Sequence, residues 1–572
     1  MKNLIYNKII IYNILIFFMV FLSLFILLIP GWIYNNFGEM DIERILFTIT
    51  LPLKGTPSSV LFLFIINLLY PVFLYSCILV IIFNAILYIK YFNATVIKQI
   101  YGFIFKLLKT CKVKIIKISI IFSICFLLFI QLINFLLPIK YKYKINFQLI
   151  TFIILLLTVS FICYLIIYKL KKIKNYYKKT KNFYILILVF FTVVLCFNTV
   201  IFFKKYKIYS YINNVLQTSD FYEKHYVDTK KLNIIAPKNK RNLILIFLES
   251  MEFSYADKSF FPDNLIPELI NLSNNNISFK NFCNGYCQHC TQMAIVANMT
   301  GLAITGFAPN FNLVSGSLKT YLQGSSSIGE ILKNNGYTNL FLQGSNKAFS
   351  GADVFLETHG FKNSVFDSSY LKQTYNITSV PGWYVADEDV INIFKKEILQ
   401  LKSKPPFFAV MVTADTHMHW SGANPQIPNI PKIFDDEKMN LIRNSSKLIT
   451  DFISWVNKQD FAKDTTIVLV GDHLRMDDGL FNNYSKQRYI YNCFINSVYE
   501  NKKINKDRTF WQIDLFPTIL EAIGFKIEGD RLGLGTSLFN NKKTLLEEFG
   551  EQNLITELAK RNKLYNNLWK SK

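Results

Sequence analysis

The apolar residues of the chain follow two patterns, which meet near Lys207. Before that point, long apolar runs alternate with polar loops, a pattern typical of membrane-spanning helices. From residue 242 onward, short β-rich runs such as LILIFL, TNLFLQG, FFAVMVTAD and TIVLVGD alternate with helix-like stretches such as SSIGEILKNNGY and KLITDFISWVNKQ. This alternation predicts an α/β domain with a mostly parallel sheet and helices on both faces.

Five apolar runs in the first half are long enough to cross a membrane as helices, which takes about 20 residues each. They cover residues 9–30, 64–89, 117–138, 146–168 and 183–203. The loops after the second and fourth runs are rich in lysine, and such loops remain in the cytoplasm. We therefore expect a multi-pass protein of a bacterial inner membrane, with everything after Phe203 on the extracytoplasmic side.

The formal net charge of +24 raises the question of a nucleic-acid partner. Much of this charge lies in the predicted cytoplasmic loops, and no basic-aromatic binding segment stands out, so an anionic lipid surface is the better partner. No charged residue lies at the centre of a predicted span, which argues against a transporter.

Candidate metal ligands follow two of the predicted strands. Glu249 ends the run RNLILIFLES, and Asp472 and His473 end the run TTIVLVGDH. Ligands gather at the carboxyl ends of parallel strands, so these residues predict a metal site with oxygen and imidazole ligands. A lone glutamate at a strand end more often caps the next helix, whereas the adjacent Asp-His pair is the stronger signal.

The segment CNGYCQHCTQMAIVANMTG, residues 283–301, predicts a helix that begins at Thr291. Its hydroxyl would lie at the positive end of the helix dipole, where it could act as a nucleophile. The segment alone leaves this role and a simple helix-capping role equally open.

Six motifs occur in a characteristic order: NLILIFLES, CTQMAIVANMTG, SIGEILKNNGYTNLFLQGSNKAFSG, PFFAVMVTADTH, VLVGDH and QIDLFPTILEAIGF. In this order the chain resembles the membrane-bound sulfatase-like phosphoglycerol transferases of the alkaline phosphatase superfamily. These comprise lipoteichoic acid synthases and the enzymes that decorate periplasmic glucans. The resemblance covers about residues 241–530 and implies a five-helix transmembrane domain followed by an extracytoplasmic sulfatase-like α/β domain.

With this resemblance, the chain is expected to divide into four parts. They are a transmembrane domain at 1–206, a juxtamembrane linker at 207–240, a sulfatase-like catalytic domain at 241–541 and a helical C-terminal tail at 542–572. We assign no chemistry to the linker.

The resemblance implies that Glu249, Thr291, Asp472 and His473 bind one divalent cation and that Thr291 is also the nucleophile. Manganese is the favoured ion, and magnesium or zinc would also suit these donors. His417 matches a family histidine that contacts the substrate phosphate, whereas His419 has no implied role.

Three further residues are weaker candidates for the substrate pocket. Lys347 lies in the KAFSG segment, and Trp383 and Asp387 lie in PGWYVADEDV, a segment that the family also has. Lys347 is of interest because Cys290 stands where the synthases have a basic residue beside the nucleophile. An exposed loop lysine is the alternative description.

The implied reaction is transfer of phosphoglycerol from phosphatidylglycerol to a glycan or polymer through a phosphothreonine. Ser350, Gly351 and Ala352 replace the Trp-Asn-Arg cluster of the synthases, and the FSG sequence is closer to the glucan-modifying branch, which favours a glycan acceptor. The alternatives are a phosphoethanolamine transferase acting on an envelope glycolipid or glycan, and a membrane-anchored glycan-binding module without activity.

True sulfatases carry Pro and Arg at the second and fourth positions after the modified cysteine or serine. Cys290 is instead followed by Gln292 and Ala294, which disfavours sulfate ester hydrolysis.

Four of the nine cysteines follow the predicted spans: Cys283, Cys287, Cys290 and Cys493. In an oxidising compartment they allow two disulfides in three pairings, and the sequence does not choose among them. A zinc site formed by Cys287, His289 and Cys290 is the less favoured alternative.

Overall fold

The structure is a computed structural model of the whole chain. It describes residues 2–37, 40–50, 62–91, 173–305, 311–312, 317–318, 320–377, 383–417, 427, 430–476 and 479–570. The chain divides into two compact units, one formed by residues 1–29 and 65–201 and the other by residues 30–64 and 202–572.

The first unit is helical and apolar. Over the first 216 residues the described α-helices are α1 (Lys2–Phe37), α2 (Ile42–Thr50), α3 (Tyr70–Tyr91), α4 (Ile173–Lys205) and α5 (Ile208–Leu216), with a π-helical turn at Ile65–Leu69 before α3. In the described residues, three stretches are long and apolar enough to span a membrane: Lys8–Phe37, Phe62–Asn84 and Lys181–Lys205. These apolar helices coincide with the first, second and fifth predicted spans. The predicted spans at 117–138 and 146–168 lie outside the described residues.

Helix α2 belongs to the second unit, although it lies in the chain between the first two apolar helices. The buried carboxylate of Glu43 accepts a hydrogen bond of 3.0 Å from the hydroxyl of Tyr286. The loop after the first span is thus joined to the α/β part of the chain.

The second unit is built on a six-stranded sheet. Its strands are β1 (Asn242–Leu248), β2 (Thr338–Gln343), β3 (Val365–Phe366), β4 (Phe407–Val412), β5 (Thr465–Gly471) and β6 (Asn492–Ile495). Their order across the sheet is β6-β5-β1-β4-β2-β3. All neighbours are parallel except β6, which runs antiparallel to β5, so the predicted mostly parallel sheet is confirmed.

Both faces of the sheet are covered, as the continuous apolar runs of its central strands require. In β1, the side chains of Leu243, Leu245 and Phe247 enter one hydrophobic cluster. The alternate residues Ile244 and Ile246 enter the other.

Helices pack in both clusters, which confirms the predicted layers. The helices that follow α5 are α6 (Phe221–His225), α7 (Pro267–Asn275), α8 (Thr291–Thr300), α9 (Ile328–Asn334), α10 (Ala352–Thr358), α11 (Ser368–Tyr375), α12 (Asp387–Leu401), α13 (Glu437–Asn457), α14 (Leu515–Ala522), α15 (Leu545–Phe549), α16 (Glu551–Ala559) and α17 (Lys563–Leu568). Helices α8 and α14 contribute to the first cluster, and α7, α12 and α13 to the second. Helix α9 begins with a capping box in which Ser327 and Glu330 each accept a hydrogen bond from the other's backbone.

Residues 207–240, predicted as a linker, pack within the second unit. Tyr222 of α6 is buried, and its ring centroid lies 5.1 Å from that of Tyr565 in α17. The short segment Ile234–Ile235 pairs with Lys526–Ile527. Phe221 and Tyr222 of this polar-aromatic segment thus pack against Phe549 and Tyr565 of the C-terminal helices, where Trp569 is also buried.

Candidate metal centre and nucleophile

The sheet brings the predicted metal ligands together. Strands β1 and β5 are parallel neighbours, with Leu248 opposite Gly471 at their carboxyl ends. Glu249 and Asp472 are the next residues of the two strands and therefore lie side by side. Gly471 permits this approach, because a Cβ atom there would lie 2.0 Å from the carbonyl oxygen of Met251.

Glu249, Asp472 and His473 form a buried group whose ligand atoms all lie within 4.8 Å of one another. The Nε2 atom of His473 lies 3.4 Å from Asp472 Oδ2 and 3.7 Å from Glu249 Oε1. These separations suit donors that share one cation, because metal–ligand distances of about 2.1 Å place neighbouring ligands roughly 3 to 4 Å apart. Within the described part of the chain, this is the group of His, Cys, Asp and Glu side chains with metal-binding geometry.

Two atoms of this group show that it fits a cation. Asp472 Oδ2 and His473 Nε2 are buried and have no hydrogen-bond partner. Burial of such atoms without a partner is costly. The other ring nitrogen of His473, Nδ1, lies 2.9 Å from the carbonyl oxygen of Leu474. With this oxygen as the acceptor of the Nδ1 proton, the lone pair of Nε2 is directed at the carboxylates. A divalent ion would satisfy both atoms.

The electrostatics of the group reflect two carboxylates held close together. Burial raises the pKa of Asp472 well above its ordinary value, and the charge of Glu249 adds to the rise. Burial would also raise the pKa of Glu249, but His417, His473 and the hydroxyls of Ser250 and Thr291 lower it below the ordinary value. The site therefore favours a bound positive charge.

Thr291 is the first residue of α8, and Cys290 occupies the N-cap position without a side-chain capping bond. The Thr291 hydroxyl instead donates a hydrogen bond of 3.0 Å to Glu249 Oε2. This contact favours the nucleophile interpretation of Thr291 over the capping one, because the side chain points at the carboxylates and not back at its own helix.

Ser250 holds the two carboxylates in register. Its backbone has a positive φ of 51°, a conformation that costs a non-glycine residue about 1 kcal/mol and is often found at functional sites. Its hydroxyl donates to Glu249 Oε1 at 2.6 Å and its amide donates to Asp472 Oδ1 at 2.7 Å. This role leaves no signal in the sequence, because it depends on the turn geometry.

The loop after β4 brings His417 to the same edge of the sheet. The charge of His417 acts on Glu249, and its ring packs against Trp383 with centroids 5.3 Å apart. Asp387 supports the loop from beneath, since its carboxylate accepts hydrogen bonds from the amides of Ala414 at 2.7 Å and Asp415 at 3.0 Å. Asp387 is therefore a buried residue that braces this loop.

The Lys347 segment lies near Trp383, because the ring of Phe349 packs against Trp383 with centroids 6.5 Å apart. The Lys347 amide donates to Asp367 Oδ2 at 3.1 Å. In the described residues, no contact joins the half-buried Lys347 side chain to the metal group. His419 lies outside the described residues.

Gln512 is a supporting residue that the sequence did not single out. Its side-chain amide donates to the backbone carbonyl of Asp472 at 3.1 Å and to that of Gln288 at 3.2 Å. It thereby ties the strand end that holds Asp472 to the segment that leads to Thr291.

The four cysteines of the outer part, Cys283, Cys287, Cys290 and Cys493, are free thiols. The disulfides allowed by the sequence are thus absent among the described residues. Burial raises the pKa of Cys283 to about 11 and that of Cys493 to about 12, which keeps both protonated at neutral pH. These thiols behave as small packing residues.

Several known proteins are similar to this chain. Residues 241–525 match the family model described as sulfatase. Phosphoglycerol transferase I of Salmonella choleraesuis is 34% identical over 257 residues, covering 44% of this chain and 33% of that protein. The Escherichia coli protein of the same name is 34% identical over 260 residues, with the same two shares. The matched region spans about a third of the length of these relatives.

A solved lipoteichoic acid synthase from Listeria monocytogenes is 20% identical, with a TM-score of 0.42, over 54% of this chain and 80% of that chain. The family match covers all the predicted metal ligands and Thr291. The outer part of this chain, residues 241–525, therefore belongs to the sulfatase family.

Proposed function

We propose that this chain is a metal-dependent transferase that moves phosphoglycerol from phosphatidylglycerol to an extracytoplasmic glycan or polymer through a phosphothreonine. The observation that carries the proposal is the 3.0 Å hydrogen bond from Thr291 Oγ1 to Glu249 Oε2. It joins a hydroxyl nucleophile to a buried cation-binding group. Similarity to phosphoglycerol transferase I supports the choice of the transferred group.

Glu249, Asp472 and His473 would hold one divalent cation, with Thr291 as a fourth ligand. When bound, the cation lowers the pKa of the threonine hydroxyl and offsets charge on the attacked phosphate. Manganese is the favoured ion, and this mixed set of oxygen and nitrogen donors also suits magnesium or zinc.

In the first step, Thr291 Oγ1 forms a bond to phosphorus while the bond from phosphorus to the diacylglycerol oxygen breaks. Glu249 Oε2 is positioned to receive the hydroxyl proton, because it already accepts the hydrogen bond from that hydroxyl. The leaving diacylglycerol oxygen takes up the proton that Thr291 released. The amino end of α8, where Thr291 lies, favours the negative charge of the phosphate.

In the second step, a hydroxyl of the acceptor attacks the phosphothreonine and Thr291 is regenerated. His417 is proposed to contact the substrate phosphate, and Trp383, packed against its ring, to shape the adjoining wall. Lys347 remains a candidate for contact with the head group or acceptor.

A membrane-embedded donor is consistent with the apolar helices that precede the catalytic domain. We propose that the catalytic domain lies on the extracytoplasmic side. This is supported by α2, which follows the first span and shares a compact unit with the catalytic domain, as expected if both lie on the same side.

The proposal is tested with purified full-length protein, phosphatidylglycerol or phosphatidylethanolamine, and Mn²⁺. Peptide mass spectrometry across Thr291 and an assay for released diacylglycerol are the two readouts. We expect a phosphoglycerol adduct on Thr291 and diacylglycerol release with the wild-type protein. Thr291→Ala should lose both, whereas Thr291→Ser retains a hydroxyl and should retain part of the activity.

A phosphoethanolamine adduct would replace the proposed donor with the alternative one. The same assay is repeated with Mg²⁺ and with Zn²⁺. If a protein that binds metal forms neither adduct nor diacylglycerol with Mn²⁺, Mg²⁺ or Zn²⁺, the transferase is rejected and the glycan-binding module is favoured.

A further inference from the structure

A cavity of about 390 Å³ adjoins the metal group. Its walls include Leu474, which follows His473, and His289, which lies two residues before Thr291. Arg44, Arg475 and Arg488 also line it. Three arginines at the edge of a phosphate-transfer site make this cavity the place to look for an anion site.

The charge of the cavity is positive. Its described lining contains the three arginines and no aspartate or glutamate. Behind the lining, the buried Glu252 accepts hydrogen bonds from Arg488 Nε at 2.7 Å and from the backbone amide of Arg475 at 3.1 Å. Glu252 and Asp41, whose Oδ1 accepts a hydrogen bond from the Arg44 amide, set two carboxylates against three guanidinium groups. This leaves an excess of positive charge among the described residues, which favours an anionic ligand.

Arg44 reaches the cavity from α2, more than 200 residues before the other lining residues. The side chain is buried, and its guanidinium contacts the sulfur of Met476. The neighbouring Glu43 accepts a hydrogen bond from Tyr286, which lies in the segment that leads to Thr291. The backbone amide of Arg44 donates to Asp41 Oδ1 at 2.7 Å, which caps the start of α2. These contacts hold the guanidinium in place before a substrate arrives.

Arg44 lines the cavity together with residues that flank the nucleophile and the metal group. His289 lies two residues before Thr291, and Leu474 directly follows the proposed metal ligand His473. A phosphate bound between Thr291 and the metal group would therefore lie at the edge of the cavity that Arg44 lines.

We propose that Arg44 binds the phosphate of the lipid donor, so that α2 forms part of the active site. This inference rests on the proposed function, in which Thr291 attacks that phosphate. A guanidinium suits the task because its planar fork donates two parallel hydrogen bonds to phosphate oxygens. The loop after the first span thus supplies a substrate-binding residue to the catalytic domain.

The test uses the full-length protein, because α2 precedes the catalytic domain in the chain. The rate of adduct formation on Thr291 is measured with phosphatidylglycerol and no acceptor. We expect Arg44→Gln to lower kcat/KM by about 10- to 100-fold, as for loss of a charge-assisted hydrogen-bond pair. Arg44→Lys should be intermediate. Arg561→Gln, at an exposed arginine of the C-terminal region, is the matched control and should equal the wild type.

A second measurement does not depend on turnover. Calorimetric titration of the metal-loaded protein with glycerol phosphate should give about 10-fold weaker binding in Arg44→Gln than in the wild type or Arg561→Gln. The thermal unfolding midpoint of each variant reports folding. If Arg44→Gln does not fold, Arg44→Lys decides the matter, because loss of the fork should still weaken binding several-fold.

Unchanged adduct formation in a folded Arg44→Gln protein would overturn the proposal. The proposal would be overturned even if the variant bound free glycerol phosphate more weakly, because the cavity would then bind free glycerol phosphate and not the lipid head group. If the wild type forms no adduct but binds glycerol phosphate in an Arg44-dependent manner, the proposed donor is wrong and the phosphate-binding role of Arg44 stands.

Discussion

The metal group and the Arg44 cavity adjoin each other, yet they are built in opposite ways. Glu249, Asp472 and His473 extend from neighbouring parallel strands, so backbone hydrogen bonds of the sheet determine their spacing. Arg44 comes from a short helix between two apolar helices, which is held by the contact of Arg44 with Met476 and the hydrogen bond from Tyr286 to Glu43. The sheet thus positions the residues of the chemical step, whereas a distant segment, α2, supplies the proposed contact with the substrate.

This difference has a practical consequence for substitutions. A change in the metal group should abolish the reaction with every substrate, because both proposed steps would depend on the same group of ligands. A change at α2 should weaken binding of the donor while leaving metal binding intact. Substitutions in and around the two parts of the site test this division, from the largest expected effect to the smallest.

Asp472→Asn should reduce adduct formation on Thr291 by about 1000-fold or more, since a bound cation supplies several kcal/mol of charge stabilisation. Metal content, measured by mass spectrometry after dialysis, should fall in parallel, and removal of metal from the wild type with a chelator should mimic the variant. Asp507→Asn, at an exposed carboxylate 2.9 Å from the amine of Lys280, is the control. Full activity in Asp472→Asn would break the assignment of the metal group.

Tyr286→Phe removes the hydroxyl that donates to the buried Glu43 and should loosen α2. We expect kcat/KM for the lipid donor to fall about 5-fold, as for loss of one hydrogen bond worth about 1 kcal/mol, with metal content unchanged. Tyr370→Phe is the matched control, because its hydroxyl donates at 3.0 Å to Glu397, a buried glutamate of α12. If the metal content of Tyr286→Phe fell as much as its kcat/KM for the donor, the metal group and α2 would not be separable.

Asp514 tests the support behind the metal group. Its carboxylate accepts hydrogen bonds from the amides of Thr536 at 2.8 Å and Trp511 at 3.0 Å. Burial raises the pKa of Asp514 to about 7, above its ordinary value of 3.8. The folded state therefore binds the proton more tightly than the unfolded state, and the free energy of unfolding falls as pH rises from about 4 to about 7.

Asp514→Asn has no such ionisation, so between pH 5 and pH 8 its free energy of unfolding should fall by roughly 2 kcal/mol less than that of the wild type. Urea titrations of the detergent-solubilised protein at the two pH values measure this difference. Asp451→Asn, at an exposed position, should follow the wild type. Identical pH dependence in wild type and Asp514→Asn would contradict the raised pKa.

The elements that could be predicted from the sequence are those with strong local patterns. The apolar runs of β1 and β5 predicted buried strands, and the polar residues that follow them predicted ligands at one edge of a sheet. The start of α8 at Thr291 was also predicted. These features depend on residues close in sequence or on the general geometry of parallel sheets.

Other features had no local pattern. Residues 207–240 read as a linker because their aromatic residues show weak periodicity, but Phe221 and Tyr222 are buried by packing with other parts of the second unit. Asp387 is a weak pocket candidate from its sequence context. Only the fold shows that its carboxylate accepts hydrogen bonds from the amides of the loop after β4.

By itself, the sequence determined the α/β layers, the three described spans, and the identities of Glu249, Thr291, Asp472 and His473 as neighbours in one site. The tertiary structure alone decided that Ser250 and Gln512 hold the ligands in register and that Arg44 lines a cavity with His289 and Leu474. The physical reason is that strand pairing converts a local apolar pattern into a defined edge, whereas side-chain contacts between distant segments leave no periodic trace in the sequence.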